Sequence, residues 1–153
     1  MTNEIEKLPD GLRITRIFTA PRERVFEAWT NPEMVQTWWG CAQTTAVHSR
    51  IELRVDGAYT HTLDIEGCGQ YEMQGHFTHY DPPAHLAWTT PGTNGMPTTH
   101  VDVRFEDLGQ QTRVCLTLSG LENEEFKGIV TEGWKAGFAK LSQRIDSGME
   151  QTT

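Results

Sequence analysis

The clearest pattern along the chain is a stripe of large apolar residues near its C-terminus. Trp134, Phe138, Leu141 and Ile145 are separated by four, three and four positions, which places them on one face of an α-helix. Lysine, glutamine and arginine fall on the other faces, so the stripe is one-sided and has to be covered by another part of the molecule. The spacing predicts a long helix over residues 131–145 that packs against the rest of the fold.

Most of the chain before this helix alternates between apolar and polar residues, which is typical of β-strands with one buried face. Turn-forming residues separate the alternating runs and predict short connections. Two short apolar patterns, one starting near Pro21 and one over 33–38, predict helices, and a change of parity before Tyr80 predicts a bulge. The predicted strands cover residues 12–18, 46–53, 58–65, 71–80, 86–90, 100–106 and 112–118.

Consecutive strands joined by short turns favour an antiparallel sheet, and only one predicted helix is long enough to cover it. We therefore expect an α+β fold in which a curved antiparallel sheet of about seven strands grips the C-terminal helix. The pattern continues from 12 to 147 without an internal linker, which predicts one domain. Residues 119–128 are expected to link the last strand to the helix, and residues 1–11 and 148–153 to be flexible tails.

Charge and composition narrow the classes of partner. The 153 residues carry a net charge of −8, which argues against nucleic acid and against anionic membranes as partners. No apolar run approaches the ~18 residues of a membrane span, and the first residues do not resemble a signal peptide. Cys41, Cys68 and Cys115 are widely spaced and odd in number, which argues against a disulfide framework. We therefore expect a cytoplasmic protein with reduced thiols.

Motifs for catalysis and for metal binding are missing from the sequence. Six histidines are present, yet no pair has the spacing of a helical metal site, so no metal is expected. The sequence contains no nucleophile elbow, phosphate-binding loop or distinct carboxylate pair, so no cofactor and no catalytic residues are expected. The sequence thus leans away from an enzyme without deciding the question.

Strand parity and the helical stripe place one set of residues around the space between sheet and helix. Trp134 and Phe138 are expected to face Tyr59, His61 and Tyr71, while a tryptophan pair after the second helix lies near the mouth. Two arrangements stay open: a cavity for a planar apolar ligand, or a filled core in which the rings touch one another. The predicted ligand-binding residues are Trp38, Trp39, Tyr59, His61, Tyr71, Met73, Trp88, Trp134 and Phe138. The entrance is left open between the loops at residues 39–41 and 91–97.

His61 is the polar residue of most interest in this set, because its strand neighbours on the same face are Tyr59 and Leu63. An imidazole there either orients a ligand or acts as a base, or it is a core histidine bonded to Tyr59, Tyr71 or a water. Burial is expected to lower its pKa and to keep it neutral.

Several short motifs resemble one known family in their order and spacing. The chain resembles, over about residues 12–145, the START-like or SRPBCC superfamily, also called the helix-grip or birch-pollen-allergen-like fold. Within it, the chain is similar to stand-alone relatives of the domain that activates the ATPase of the ninety-kilodalton heat-shock chaperone. It departs from the family pattern at Cys41, where Pro is usual, and at Ala58, where Gly is usual. The motifs are Ala-Pro-Arg-Glu-Arg-Val-Phe-Glu-Ala-Trp-Thr-Asn-Pro over 20–32, Trp-Trp-Gly over 38–40, Val-Asp-Gly-Ala-Tyr over 55–59, Gly-His-Phe-Thr-His-Tyr-Asp-Pro-Pro over 75–83, Thr-Arg-Val over 112–114 and Gly-Trp over 133–134.

The resemblance implies a cavity between the sheet and the C-terminal helix, but one fold hosts many functions. The preferred hypothesis is non-catalytic binding of a small hydrophobic or aromatic molecule. The alternatives are regulation of a chaperone ATPase by surface contact, and an enzyme that acts on the bound molecule with His61 or Tyr71 as acid or base. A homodimer is left open.

Overall fold

A computed structural model describes residues 3–92 and 97–146 of the chain. Two short helices follow the second strand, and one long helix follows the last strand. In chain order the elements are β1 (Asn3–Leu8), β2 (Gly11–Phe18), α1 (Arg22–Thr30), α2 (Pro32–Val35), β3 (Thr44–Ile51), β4 (Ala58–Ile65), β5 (Gly69–Asp81), β6 (His85–Thr90), β7 (Thr99–Asp107), β8 (Thr112–Ser119) and α3 (Glu124–Asp146).

The described strands pair antiparallel in one eight-stranded sheet, in the order β1-β2-β8-β7-β6-β5-β4-β3. Successive side chains of a strand point to opposite faces, and in β8 every second side chain from Thr112 onward is buried. The buried side chains lie on the inner face of the sheet, and α3 packs against β2 on that face. This arrangement confirms the predicted α+β fold with a curved antiparallel sheet, two short helices and a long C-terminal helix.

The first strand corrects the prediction of a flexible tail over residues 1–11. Asn3–Leu8 forms β1 at the edge of the sheet and pairs with β2. Its inner face carries both Ile5, which is 37% exposed, and the charged Lys7, so this strand shows no clear alternation in the sequence. The two residues after β1 form the turn of a hairpin and join it to β2.

The start of the long helix is a second correction, because α3 begins at Glu124 inside the segment 119–128 that was expected to be a link. Asn123 marks the start of the helix, and its side-chain oxygen accepts a hydrogen bond from a backbone N–H of the first turn. The inward positions of the first two turns carry Lys127 and Thr131, both buried. The apolar stripe therefore starts later than the helix itself.

The other boundaries lie close to those predicted. The β5–β6 register shifts between Phe77 and His79, which confirms the bulge expected before Tyr80. The second helix is shorter than predicted and ends at Val35, because the residues that follow continue as turns. Residues 93–96 of the expected loop and the expected tail over 148–153 lie outside the described residues.

The core lies between α3 and the inner face of the sheet. Phe138, Leu141 and Ile145 are at most 1% exposed, as are Leu12 and Ile14 of β2. Complete burial of an apolar side chain of this size stabilises a fold by ~1.5–3 kcal/mol. The predicted stripe is thus what holds the C-terminal half of α3 on the sheet.

The N-terminal half of α3 is held by a buried lysine. Lys127 is 2% exposed, and its ammonium donates hydrogen bonds to the carbonyl oxygens of Leu8 at 2.8 Å and Pro9 at 3.3 Å. It also pairs with the carboxylate of Glu124 at 3.2 Å. A charged donor with several acceptors satisfies the requirement that a buried charge be paired. The first turn of α3 is therefore fastened to the β1–β2 hairpin.

Lys127→Met is expected to destabilise the protein by ~1–2 kcal/mol, because hydrogen bonds from a charged donor to the hairpin carbonyls are lost. Urea unfolding measures this change in the free energy of unfolding. Lys135→Met, at a lysine whose side chain is 48% exposed, serves as the control and should change stability by less than ~0.5 kcal/mol. Equal stability of the Lys127→Met variant and the wild type would show that this fastening contributes nothing.

Candidate functional site

Aromatic rings from four parts of the chain meet between the inner face of the sheet and α3. Trp29 of α1 lies 6.0 Å from Trp134 and 6.3 Å from Trp88 of β6, between ring centroids. Trp39, which follows α2, lies 5.4 Å from Trp134 and 6.0 Å from Trp88. Phe138 completes the group at 5.8 Å from Trp29. Because interacting aromatic rings have centroids about 4.5–7 Å apart, these five residues form one aromatic cluster.

The members of the aromatic cluster differ in exposure. Trp29, Trp39, Trp88 and Phe138 are at most 5% exposed, whereas Trp134 is half-buried. The rings contact one another, as in the filled arrangement that the sequence left open. Trp134 is the member of the cluster that reaches the surface, at the boundary between the core and the solvent.

His61 of β4 joins this cluster through Trp39. Its ring centroid lies 4.3 Å from that of Trp39 at an angle of 30°, and 5.3 Å from that of Tyr59 at 35°. The Nδ1 atom forms a hydrogen bond with the hydroxyl of Ser49 at 2.9 Å. Burial lowers the pKa of His61 to about 4, which confirms the expected neutral imidazole.

Ser49 is a residue that the sequence did not identify. It lies on β3 directly opposite His61, and its backbone N–H donates to the side-chain oxygen of Gln36 at 2.9 Å. The register between two strands decides this contact, and the alternation of residues within one strand does not reveal the register. A serine with the right parity on the neighbouring strand was the only available signal.

Tyr59 is fixed in place by two features. Its hydroxyl forms a hydrogen bond with the hydroxyl of Thr90, and burial raises the pKa of its phenol to about 12. Gly75 lies opposite Tyr59 on β5, and a Cβ atom there would lie 2.9 Å from Cε2 of the tyrosine ring. The absence of a side chain at residue 75 therefore gives the ring its space.

Two predicted residues, Trp38 and Trp134, lie away from their expected positions. Trp38 is 1% exposed, and its indole N–H donates to the carbonyl of Ala28 at 2.8 Å, so it is buried behind the cluster and not at a mouth. In the described residues no ring contact joins Trp134 to Tyr59, His61 or Tyr71, because Trp39 lies between the helix and β4.

Tyr71 and Met73 extend the inner face of the sheet beyond the cluster. Tyr71 pairs with Leu63 and Met73 pairs with His61, so both share the face of the buried β4 residues. Met73 is half-buried, but Tyr71 is 42% exposed near the β4–β5 turn. The sheet order places β4 and β5 at the end opposite β2, on which α3 packs. This end of the inner face is therefore only partly covered.

Trp29 is central to the cluster although the sequence assigned it only to the apolar face of α1. Its indole Nε1 is buried and has no hydrogen-bond partner among the described residues. Its ring meets that of Trp38 edge to face, with the two centroids 4.7 Å apart. Helical periodicity reveals which face of α1 is buried, but not what lies opposite that face.

An open groove of about 950 Å³ lies between the N-terminal half of α3 and residues 41–43. The loop is tied to the β4–β5 turn by a hydrogen bond from the Glu66 N–H to the Gln43 carbonyl at 2.9 Å. The predicted ligand-binding residues do not line the groove, which differs from the enclosed cavity expected between sheet and helix. Its lining residues are Cys41, Ala42, Gln43, Glu124, Glu125, Gly128, Ile129, Glu132, Gly133, Lys135 and Ala136.

Lys140 fastens α3 to the same loop. Its ammonium donates to the carbonyl oxygens of Trp39 at 3.4 Å and Cys41 at 3.3 Å, and burial lowers its pKa. Burial opposes ionisation of the Cys41 thiol, but hydrogen bonds, the first of them with Thr44, and the nearby ammonium lower its pKa overall. The hydrogen bonds from Lys140 connect the backbone at Trp39 to α3.

The described residues contain no group of three or more histidine, cysteine, aspartate or glutamate side chains that could hold a metal ion. Within the same residues, no helix is both long enough and apolar enough to cross a membrane.

His61 makes a specific prediction about pH. The unfolded chain binds a proton at this residue near its ordinary pKa of 6.5, whereas the folded protein binds it only near pH 4, so stability falls as pH decreases between these values. The loss amounts to about 3–4 kcal/mol at most, because each pKa unit corresponds to ~1.4 kcal/mol. Urea unfolding from about pH 7 to about pH 4.5 should therefore show a steeper loss for the wild type than for His61→Phe. Parallel curves for the two proteins would show that His61 is not buried in its neutral form.

The comparison with known proteins places these features in a family. Residues 19–146 match the model of the family described as "Activator of Hsp90 ATPase homolog 1-like protein". None of the curated proteins matches the chain significantly.

Several solved structures share the fold at low sequence identity. A protein from Nitrosomonas europaea is 15% identical, with a TM-score of 0.83 over 96% of this chain and 99% of that chain. A protein from Chromobacterium violaceum is 19% identical, with a TM-score of 0.79 over 90% of this chain and 98% of that chain. A protein from Arthrobacter aurescens is 21% identical, with a TM-score of 0.77 over 94% and 91%. The family match spans α1 to α3 and confirms the resemblance seen in the sequence: the chain belongs to the family of activator of Hsp90 ATPase homolog 1-like proteins.

Proposed function

We propose that the protein binds a small hydrophobic or aromatic molecule, without transforming it, on the inner face of the sheet beside Trp39 and Trp134. The exposed position of Tyr71 carries this proposal. An aromatic residue on the inner face of a sheet is normally covered by the core, yet Tyr71 is 42% exposed. Contiguous apolar surface that stays accessible on a soluble domain often marks a binding site.

The surroundings of Tyr71 suit a flat apolar ligand. Met73 and His61 lie on the same face of the sheet as Tyr71, and the ring of Trp39 contacts that of His61. Small-molecule sites are mostly apolar and aromatic, with a few polar groups that fix the orientation of the ligand. Trp134, the half-buried member of the aromatic cluster, borders this surface on the side of α3.

The groove between α3 and residues 41–43 supports a route to this surface. Its loop is bonded to the β4–β5 turn, and two residues of its lining, Gly133 and Lys135, flank Trp134 in the sequence. We propose that a ligand entering along the groove passes Trp134 on its way to Trp39. Of the two loops considered from the sequence, the one at residues 39–41 is thus the entrance that we propose.

The ionisable groups near this surface favour binding over catalysis. A general acid or base works best with a pKa near the operating pH. The pKa of His61 is lowered to about 4 and that of Tyr59 is raised to about 12, both by burial, so neither group exchanges protons readily near neutral pH. Their hydrogen bonds with Ser49 and Thr90 fix their orientation.

Tyr71→Ser tests the proposal with naphthalene as the probe. We expect naphthalene to bind the wild type and to raise its melting temperature, and Tyr71→Ser to weaken binding about tenfold through the loss of ring contact. Calorimetric titration measures the affinity. The change in stability should be small, because the side chain is already 42% exposed.

Leu108→Ser is the matched control, since Leu108 is 36% exposed and lies in the β7–β8 turn, away from the proposed surface. It should leave the affinity for naphthalene unchanged. Absence of saturable binding to the wild type, or an equal loss in both variants, would refute the proposal. Stimulation of a chaperone ATPase without ligand, unchanged in Tyr71→Ser, would instead support regulation by surface contact.

A further inference from the structure

We infer that His61 Nε2–H is the donor that orients the bound molecule, and that this molecule is a neutral aromatic compound with a hydrogen-bond acceptor such as a ketone oxygen. This inference rests on the proposed function and names the ligand class for that same site. It follows from what each edge and face of the imidazole contacts.

Two aromatic rings lie close to the His61 ring. Trp39 lies at 4.3 Å and Tyr59 at 5.3 Å between centroids, each inclined by at most 35°. These two rings restrict stacking of a ligand on the imidazole and favour an approach at its edge. The side chain is 4% exposed, so bulk water contributes little to its solvation.

One polar edge of the ring is already occupied. Nδ1 forms its hydrogen bond with Ser49 Oγ on β3, and the imidazole makes no other hydrogen bond with the described residues. Among the described residues Nε2 has no hydrogen-bond partner, and it is not one of the fully buried atoms, so it reaches solvent-accessible space and is open to a partner from outside the chain. A ligand on the inner face of the sheet would supply it.

The partner of Nδ1 bears on which nitrogen carries the proton, because a hydroxyl can donate to the ring or accept from it. Among the described residues, the Ser49 hydroxyl has no acceptor other than His61 Nδ1. If the hydroxyl donates to Nδ1, its own proton is satisfied, and the neutral imidazole then carries its proton on Nε2. The free edge of His61 is consequently a donor, and the ligand must offer an acceptor.

The charge of the ligand follows from its surroundings. The aromatic cluster, Tyr59 and Met73 supply no cation, and burial keeps His61 neutral at pH 7. A carboxylate at Nε2 would be removed from water without a charge partner, which is strongly unfavourable. A ketone or aldehyde oxygen accepts the same hydrogen bond without that penalty.

Three naphthalenes of similar size test this assignment: 2-acetylnaphthalene, 2-ethylnaphthalene and 2-naphthoate. We expect the wild type to bind the ketone about tenfold more tightly than the ethyl compound and to bind the carboxylate most weakly. In His61→Phe the preference should disappear, so the ratio of the affinities for 2-acetylnaphthalene and 2-ethylnaphthalene should fall to about one. Calorimetric titration at pH 7 measures these ratios.

Imidazole ¹⁵N NMR of the wild type gives an independent result that does not depend on folding of the variant. The proton should reside on Nε2, and the Nε2 resonance should shift with 2-acetylnaphthalene but not with 2-ethylnaphthalene. A proton on Nδ1, or tightest binding of 2-naphthoate, would overturn the inference. Equal binding of the ketone and the ethyl compound would overturn it while leaving the proposed function standing, whereas binding of none of the three would refute both.

Discussion

The apolar face of α3 is buried against the inner face of the sheet through Phe138, Leu141 and Ile145. Because this helix packs over β2, near one end of the sheet, it cannot also cover β4 and β5 at the other end. Trp39 lies between the helix and β4 and covers part of the inner face that α3 leaves uncovered. The inner face around Tyr71 stays uncovered because the sheet is wider than the one helix that packs on it.

Trp39 contacts both the long helix and the sheet, and it does so through its ring and through its backbone. It contacts Trp134 on the side of α3 and His61 on the side of the sheet, and Lys140 binds its backbone carbonyl. The polar groups at this junction are paired with Ser49 and Thr90, so the histidine and the tyrosine stay in place within an apolar setting. A neutral, ordered imidazole edge suits recognition better than proton transfer.

Much of the fold could be predicted from the sequence, because apolar residues repeat with the periods of strands and of one long helix. The exceptions share a cause: β1 and the first turns of α3 carry the polar residues Lys7, Lys127 and Thr131 at inward positions, which hides their periodicity. Parity placed Tyr59, His61 and Met73 on the correct face. It could not reveal that Ser49 lies opposite His61 or that Trp29 reaches the cluster, since register and helix placement depend on long-range packing.

The two lysines that fasten α3 have a mechanical consequence. Lys127 binds the β1–β2 hairpin and Lys140 binds the loop after α2. The stretch of α3 between these two lysines is therefore fixed at both of its ends. That stretch contains three glycines, at 128, 133 and 137, each of which weakens a helix by up to ~1 kcal/mol relative to alanine. This stretch of α3 is therefore the part of the helix with the weakest intrinsic helix propensity, and it contains Trp134, whereas Ile145 lies beyond it in the core.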